Sequence, residues 1–151
     1  MKYKDILITG GAGFVGSNLA LKLKADYPEV NITVLDNLKR RGSELSLKRL
    51  KAAGIEFVHG DIRNREDLVF EKVDLLLECS AEPSVLAGIG SSPDYLMNTN
   101  LVGTLNCLEV AREHNAASIF LSTSRVYPIS YINGLDFEET ETRFNITDNQ
   151  T

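Results

Sequence analysis

The chain has 151 residues, of which 43% are hydrophobic, enough for one domain of ordinary size with its own core and too few residues for a second of similar size. Lysine and arginine number 16 against 21 aspartates and glutamates, a formal charge of −5 that argues against nucleic acid as a partner. The excess sits late in the chain: beyond Tyr127, Asp136, Glu138, Glu139, Glu141 and Asp148 face Arg143 alone.

Taken in chain order, Ile6-Leu7-Ile8 is a short apolar run that stops at Thr9-Gly10-Gly11, as a strand buried on both faces does. The run is too short for a signal segment or a membrane span, and a cytoplasmic chain with no membrane association is the expectation. Phe14 to Ala25 then carries a helical pattern, with Pro28 behind it as a stop. The alternation repeats. Ile32 to Leu35 reads as strand two, Glu44 to Ala53 as a helix with Gly54 at its C-cap, and Glu56 to His59 as strand three. A short helix from Arg65 to Phe70, a strand from Asp74 to Cys79, a long helix from Asp94 to His114 and a fifth strand from Ser118 to Ser122 complete the series.

Strands and helices alternating at this spacing predict an α/β fold: a Rossmann-type, doubly wound parallel sheet in three layers with strand order 3-2-1-4-5. Residues 1–127 form the predicted domain. Residues 128–151, with Pro128, Asn133-Gly134 and a run of acids but no periodicity, read as an acidic loop or partly disordered tail.

The glycines of the first turn carry the chemistry. Gly10, Gly13 and Gly16 form G-x-x-G-x-x-G between a strand and a helix. Gly10 allows a sharp turn, Gly13 lets backbone approach a pyrophosphate, and Gly16 brings helix and strand close; Phe14 and Val15 contribute amides at the helix start. Asp36 follows Gly16 by 20 residues at the end of strand two, where a carboxylate holds ribose hydroxyls. It disfavours a 2′-phosphate and so favours NAD over NADP, although Lys39, Arg40 and Arg41 stand near enough to offset it.

Other positions carry two readings from residue chemistry alone. Asp61 after strand three suits either the adenine amino group or a cap for the next helix. Ser80 and Ala81 lie in a small-residue loop after strand four, Asn98 and Asn100 in the long helix, and Ser122-Thr123-Ser124 end strand five with three hydroxyls. The two histidines, His59 and His114, read as structural or surface residues, and Cys79 and Cys107 as buried reduced thiols.

The segments ITGGAGFVGSNLA, VLDNLKRRG, FVHGDIRN, NTNLVGTLNCLEVAR and FLSTSRVYP, spread over residues 6–128, resemble the extended short-chain dehydrogenases/reductases of the NAD-dependent nucleotide-sugar epimerase/dehydratase family. Within it, DNLKRRG and the later EETETRF are most similar to the CDP-tyvelose (CDP-paratose) 2-epimerases. The resemblance implies that Gly10, Gly13, Phe14, Val15 and Gly16 hold the NAD pyrophosphate, Asp36 and Asn37 the adenosine ribose, and Asp61 and Ile62 the adenine. Ser80 and Ala81 would line the nicotinamide ribose, Asn100 matches the family's long-helix asparagine, and Thr123 matches the catalytic hydroxyl that bonds the sugar.

The resemblance further implies a nucleotide-sugar substrate, here a CDP-sugar, transient hydride transfer to NAD, and a homo-oligomer. A UDP-glucose 4-epimerase, a dTDP-glucose dehydratase and a non-catalytic NAD module are the alternatives; Ser124-Arg125 after Thr123, in place of an acidic pair, argues against the dehydratase. The family's Tyr-x-x-x-Lys is absent, since no tyrosine has lysine four residues later. The expectation is therefore the cofactor-binding part of a longer enzyme. Glu78 also departs from the family, standing where a histidine is common, and Pro83 alters the following loop.

Overall fold

The structure is a computed structural model that describes residues 1–123 and 127–147. The chain divides into two compact units, Met1–Leu121 and Ser122–Thr151.

In the first unit, β1 (Asp5–Thr9), β2 (Asn31–Asp36), β3 (Glu56–His59), β4 (Leu75–Glu78) and β5 (Ala117–Phe120) form one parallel sheet in the order β3-β2-β1-β4-β5. The order and the parallel sense match the sequence expectation. β1 and β4 are central and apolar because both of their faces are covered: Ile6 pairs with Leu75, Leu7 with Leu76 and Ile8 with Leu77, all buried.

Strand alternation sends these residues into two cores. Ile6, Ile8, Val34, Leu75 and Leu77 pack with Ala20 of α1 (Phe14–Asp26) and Leu50 of α2 (Leu47–Ala52). Leu7, Leu35 and Leu76 pack on the opposite face with Ile62, Cys107 and Val110, the last two from α4 (Thr104–Glu113). Two helical layers around one sheet follow directly.

Local chemistry sets the helix boundaries. A 3₁₀ turn over Ser43–Ser46 leads into α2, whose end is marked by Gly54 at φ +70°. The helix expected from Arg65 to Phe70 is only a 3₁₀ turn, Arg65–Asp67. Side chains bond the backbone on either side of the turn: Arg65 Nη1 donates to the Leu68 carbonyl, and Asp67 Oδ2 accepts the Asp61 N–H. The long helix is continuous from α3 (Asp94–Met97) to α4, but residues Asn98–Gly103 between them are π-helical. β5 pairs with β4 only among the described residues, and Ile119, Phe120 and Leu121 are exposed.

In the second unit, the stretch read as loop from sequence holds a short helix, α5 (Ile129–Asn133), and an antiparallel pair, β6 (Phe137–Glu139) with β7 (Phe144–Ile146). The Phe137 and Phe144 rings meet edge to face at 5.3 Å, a cross-strand contact that binary patterning over three-residue strands does not reveal.

Candidate dinucleotide-binding site

The carboxyl ends of β1 to β4 open on one cleft of about 920 Å³, placed where the crossovers from the central strand run in opposite directions. Gly10, Gly13, Phe14, Val15, Gly16, Asp36, Asn37, Asp61, Ile62, Ser80 and Ala81 all line it. The sheet thus gathers residues that lie as far as 71 positions apart in the chain.

The floor is the glycine turn. Gly10 has φ +64°, and a Cβ there would lie 2.7 Å from the Cys79 carbonyl oxygen. A Cβ on Gly16 would lie 2.4 Å from the Gly10 carbonyl oxygen, so α1 starts directly on the turn. Gly11, not singled out from sequence, is equally constrained, since its Cβ would meet that of Val34 at 2.3 Å. Gly13 is the N-cap of α1 and supplies no side-chain cap, which leaves the first-turn amides of Phe14, Val15 and Gly16 to an anion in the cleft.

The β2 wall is fixed by Asp36. Its Oδ2 accepts the Ala12 N–H at 3.1 Å and its Oδ1 the Leu38 N–H at 2.8 Å, tying strand end to glycine turn. Lys39, Arg40, Arg41 and Arg49 line the same side of the cleft. Lys39 is drawn to an aromatic face: its ammonium sits 3.0 Å from the Tyr95 ring centroid, with the Arg63 guanidinium at 4.9 Å.

Asp61 is held by Arg63 and Asn37. Arg63 Nε donates to Oδ1 at 2.9 Å and Nη2 to Oδ2 at 2.6 Å, while Asn37 Nδ2 donates to Oδ2 at 2.9 Å. Arg63 above all, and Asn37 beside it, hold the Asp61 carboxyl well below the usual carboxylate range, against the effect of burial. The Arg63 N–H also donates to Oδ1 at 3.0 Å, as in a turn. Ile62 is buried under the π-helical segment, where a Cβ on Gly103 would lie 2.4 Å from its Cδ1.

On the β4 side, Ser80 and Ala81 form the wall, and the Ser80 N–H donates to Glu78 Oε1 at 2.8 Å. Asn100 does not line the cleft. Its amide clamps the loop instead, accepting the Glu82 N–H at 2.8 Å and donating to the Glu82 carbonyl at 3.2 Å. Thr123 belongs to the second unit, where it is exposed; Ser124 and Arg125 lie outside the described residues.

Two residues escaped the sequence reading. Asn106 Nδ2 donates to the Ile62 carbonyl at 2.8 Å and fixes the loop after β3; an asparagine inside a helix was its only signal. Thr99 lines the cleft, 7% exposed, and its Oγ1 is buried without a partner among the described residues. A buried hydroxyl without a partner is a hydrogen bond still to be made.

These observations meet the requirements of a dinucleotide. The glycine floor admits backbone close to a pyrophosphate, and the amides at the start of α1 suit its charge. Fold and cleft together define a Rossmann-type dinucleotide-binding domain. The chain belongs to the NAD dependent epimerase/dehydratase family, which it matches over residues 6–147, and NAD is the cofactor of that family.

Among relatives, it is 37% identical over 150 residues to the CDP-paratose 2-epimerase of Salmonella typhi, covering 95% of this chain and 43% of that one. It is 36% identical over 125 residues to a dTDP-glucose 4,6-dehydratase of Mycobacterium tuberculosis, covering 81% and 37%. The solved ADP-L-glycero-D-manno-heptose-6-epimerase of Helicobacter pylori superimposes with a TM-score of 0.69 at 34% identity, over 82% of this chain and 40% of that one. A UDP-glucose-4-epimerase from Stenotrophomonas maltophila, solved with bound NAD, gives 0.70 at 25% identity, over 82% and 38%. The chain therefore spans about two fifths of its relatives' length. No helix among the described residues is long and apolar enough to cross a membrane.

Proposed function

We propose that residues 1–127 are the NAD-binding part of a nucleotide-sugar epimerase, and that residues 128–151 lead to a catalytic tyrosine and lysine and a substrate lobe beyond residue 151. The observation that carries this reading is the joining of the glycine turn to Asp36 at the cleft floor, by the Ala12 N–H. NAD, when bound, takes a hydride from a sugar carbon and returns it.

The chain's own residues bind and orient. Gly10, Gly13 and the amides of Phe14, Val15 and Gly16 receive the pyrophosphate; Asp36 and Asn37 face the adenosine ribose. Asp61, kept ionised by Arg63, and Ile62 flank the adenine, while Ser80 and Ala81 face the nicotinamide ribose. Asn100 acts through the Glu82 backbone that it clamps. Thr123 hydrogen-bonds the sugar hydroxyl.

We assign the substrate as a CDP-sugar and the reaction as 2-epimerisation, supported by similarity to a CDP-paratose 2-epimerase along 95% of the chain. A dTDP-glucose 4,6-dehydratase is the second reading, supported by 36% identity over a shorter stretch. The whole protein is taken as cytoplasmic and self-associating; exposed Leu101, Leu105 and Leu108, at helical spacing, suit a helix face covered in an oligomer.

Calorimetric titration of NAD and NADP into the chain and its Asp36→Ala variant tests the cofactor assignment. NAD binding that weakens in the variant supports it, and no binding by the folded chain overturns it. Turnover of CDP-paratose, UDP-glucose, dTDP-glucose or none of them by the full-length gene product then separates 2-epimerase, 4-epimerase, dehydratase and non-catalytic module.

A further inference from the structure

Glu78 closes β4 as the cross-strand partner of Thr9 on β1 and Phe120 on β5. It is 3% exposed, and its two oxygens differ sharply. Oε1 accepts the Ser80 N–H at 2.8 Å and the Thr9 hydroxyl at 3.4 Å, whereas Oε2 is buried with no partner among the described residues.

The groups that face the carboxyl do not neutralise it. β1 supplies the Thr9 hydroxyl, Ser80 adds its own hydroxyl, and the two nearby thiols, Cys79 next along the chain and Cys107 from α4, stay protonated. Burial, with the Glu78 charge as the smaller cause, pushes Cys79 up to about 11 and Cys107 up to about 12. None of the ion pairs among the described residues includes Glu78. Burial pushes its own carboxyl up to about 6, although the Ser80 and Thr9 hydrogen bonds oppose it.

Ser80 is itself part of the cleft wall, so the carboxyl lies one hydrogen bond behind the surface a ligand touches. A dinucleotide in the cleft does two things to such a group. It removes water from the wall, and it brings a net negative charge, two phosphates against at most one cationic ring. Both disfavour the carboxylate.

We propose that Glu78 is a positioning residue of the cofactor cleft, holding Ser80 by its backbone N–H and taking up a proton when a dinucleotide fills the cleft. The proton comes from solvent and goes to Oε2, the oxygen without a partner, so that Oε1 keeps both of its hydrogen bonds in either state. The inference rests on the assignment of the cleft to NAD. It adds a proton-linked residue behind the wall, and it orders the ligands: NADH, which lacks the cationic ring, draws more proton uptake than NAD.

The test is calorimetric titration of NAD and NADH into the 151-residue chain, Glu78→Gln and Glu78→Leu, between pH 6 and 8, in two buffers of different ionisation enthalpy. The native chain takes up a fraction of a proton per NAD, more per NADH, and binds severalfold more weakly at pH 8 than at pH 6. Glu78→Gln, which keeps an acceptor for Ser80, binds with an affinity flat in pH and no such uptake. Glu78→Leu, which removes the acceptor, binds at least fivefold more weakly at every pH. Equal proton uptake by the native chain and Glu78→Gln overturns the proposal, as does native affinity in a folded Glu78→Leu.

The Ser80 amide provides a readout that needs no ligand. Its ¹H–¹⁵N shift moves with pH through about 6 in the native chain and not in Glu78→Gln; a native shift flat in pH refutes the Glu78 geometry. Absence of NAD binding with a Ser80 amide that does titrate refutes the cofactor assignment instead, and with it the linkage.

Discussion

Gly16 rests on Gly10: a β-carbon at Gly16 would stand 2.4 Å from the Gly10 carbonyl oxygen, with backbone on every near side. The contact sets the height of α1 above the turn, and so the position of the amides that face the cleft. Gly16→Ala must push the helix away, at about 1–3 kcal/mol of stability. Urea unfolding is expected to show that loss and calorimetry at least a tenfold loss of NAD affinity; native affinity in the variant would remove the helix start from the binding site.

Arg63 carries the charge balance at the β3 corner. Its two side-chain hydrogen bonds above all keep Asp61 below the ordinary 3.8, so the pair stabilises the fold above about pH 4 and the contribution is lost as pH falls through the lowered value. Arg63→Met is expected to cost about 1.5–3 kcal/mol at pH 7. Its acid-unfolding curve should also lie closer to neutral pH, and a curve superimposable on the native one would contradict this account.

Glu78 gives the opposite sign. Its folded value of about 6 exceeds the ordinary 4.5, so its favourable contribution is complete below about pH 4.5 and lost as pH rises through 6. Glu78→Gln should therefore be more stable than the native chain by about 2 kcal/mol at pH 7.5, with most of the difference gone by pH 4.5. Denaturant midpoints at the two pH values measure it.

Thr99 separates stability from binding. Its buried hydroxyl has no partner among the described residues, so Thr99→Val, of nearly the same shape, is expected to stabilise the chain by about 1 kcal/mol. NAD affinity should fall severalfold if the hydroxyl meets the cofactor. A variant less stable than the native chain would show that the hydroxyl is already bonded in solution.

Much of this was legible from order and spacing. Ile6 to Ile8 and Leu75 to Leu77 read as buried strands because a run apolar on both faces fits only the middle of a covered sheet, and Glu56–His59 forms the strand read from its residues. The glycine turn and Asp36 were visible because their spacing reflects a strand-turn-helix unit of fixed geometry. The π-helical turn at Asn98–Gly103 was not, since one helical register looks like another until Gly103 meets Ile62. The Arg65–Phe70 pattern misled as well: only a single 3₁₀ turn forms, with the Arg65 and Asp67 side chains bonded to backbone on either side of it.

The sequence by itself determined the layers, the strand order and the place of the cleft, because hydrophobic period and glycine position act over a few neighbouring residues. Only the tertiary structure decided which polar groups serve each other. Arg63 is committed to Asp61, Asn100 to the Glu82 backbone, and Glu78 to Ser80, while Thr99 is left open. Such pairings depend on distances across the sheet and on burial from water, and neither is written in the order of residues along one chain.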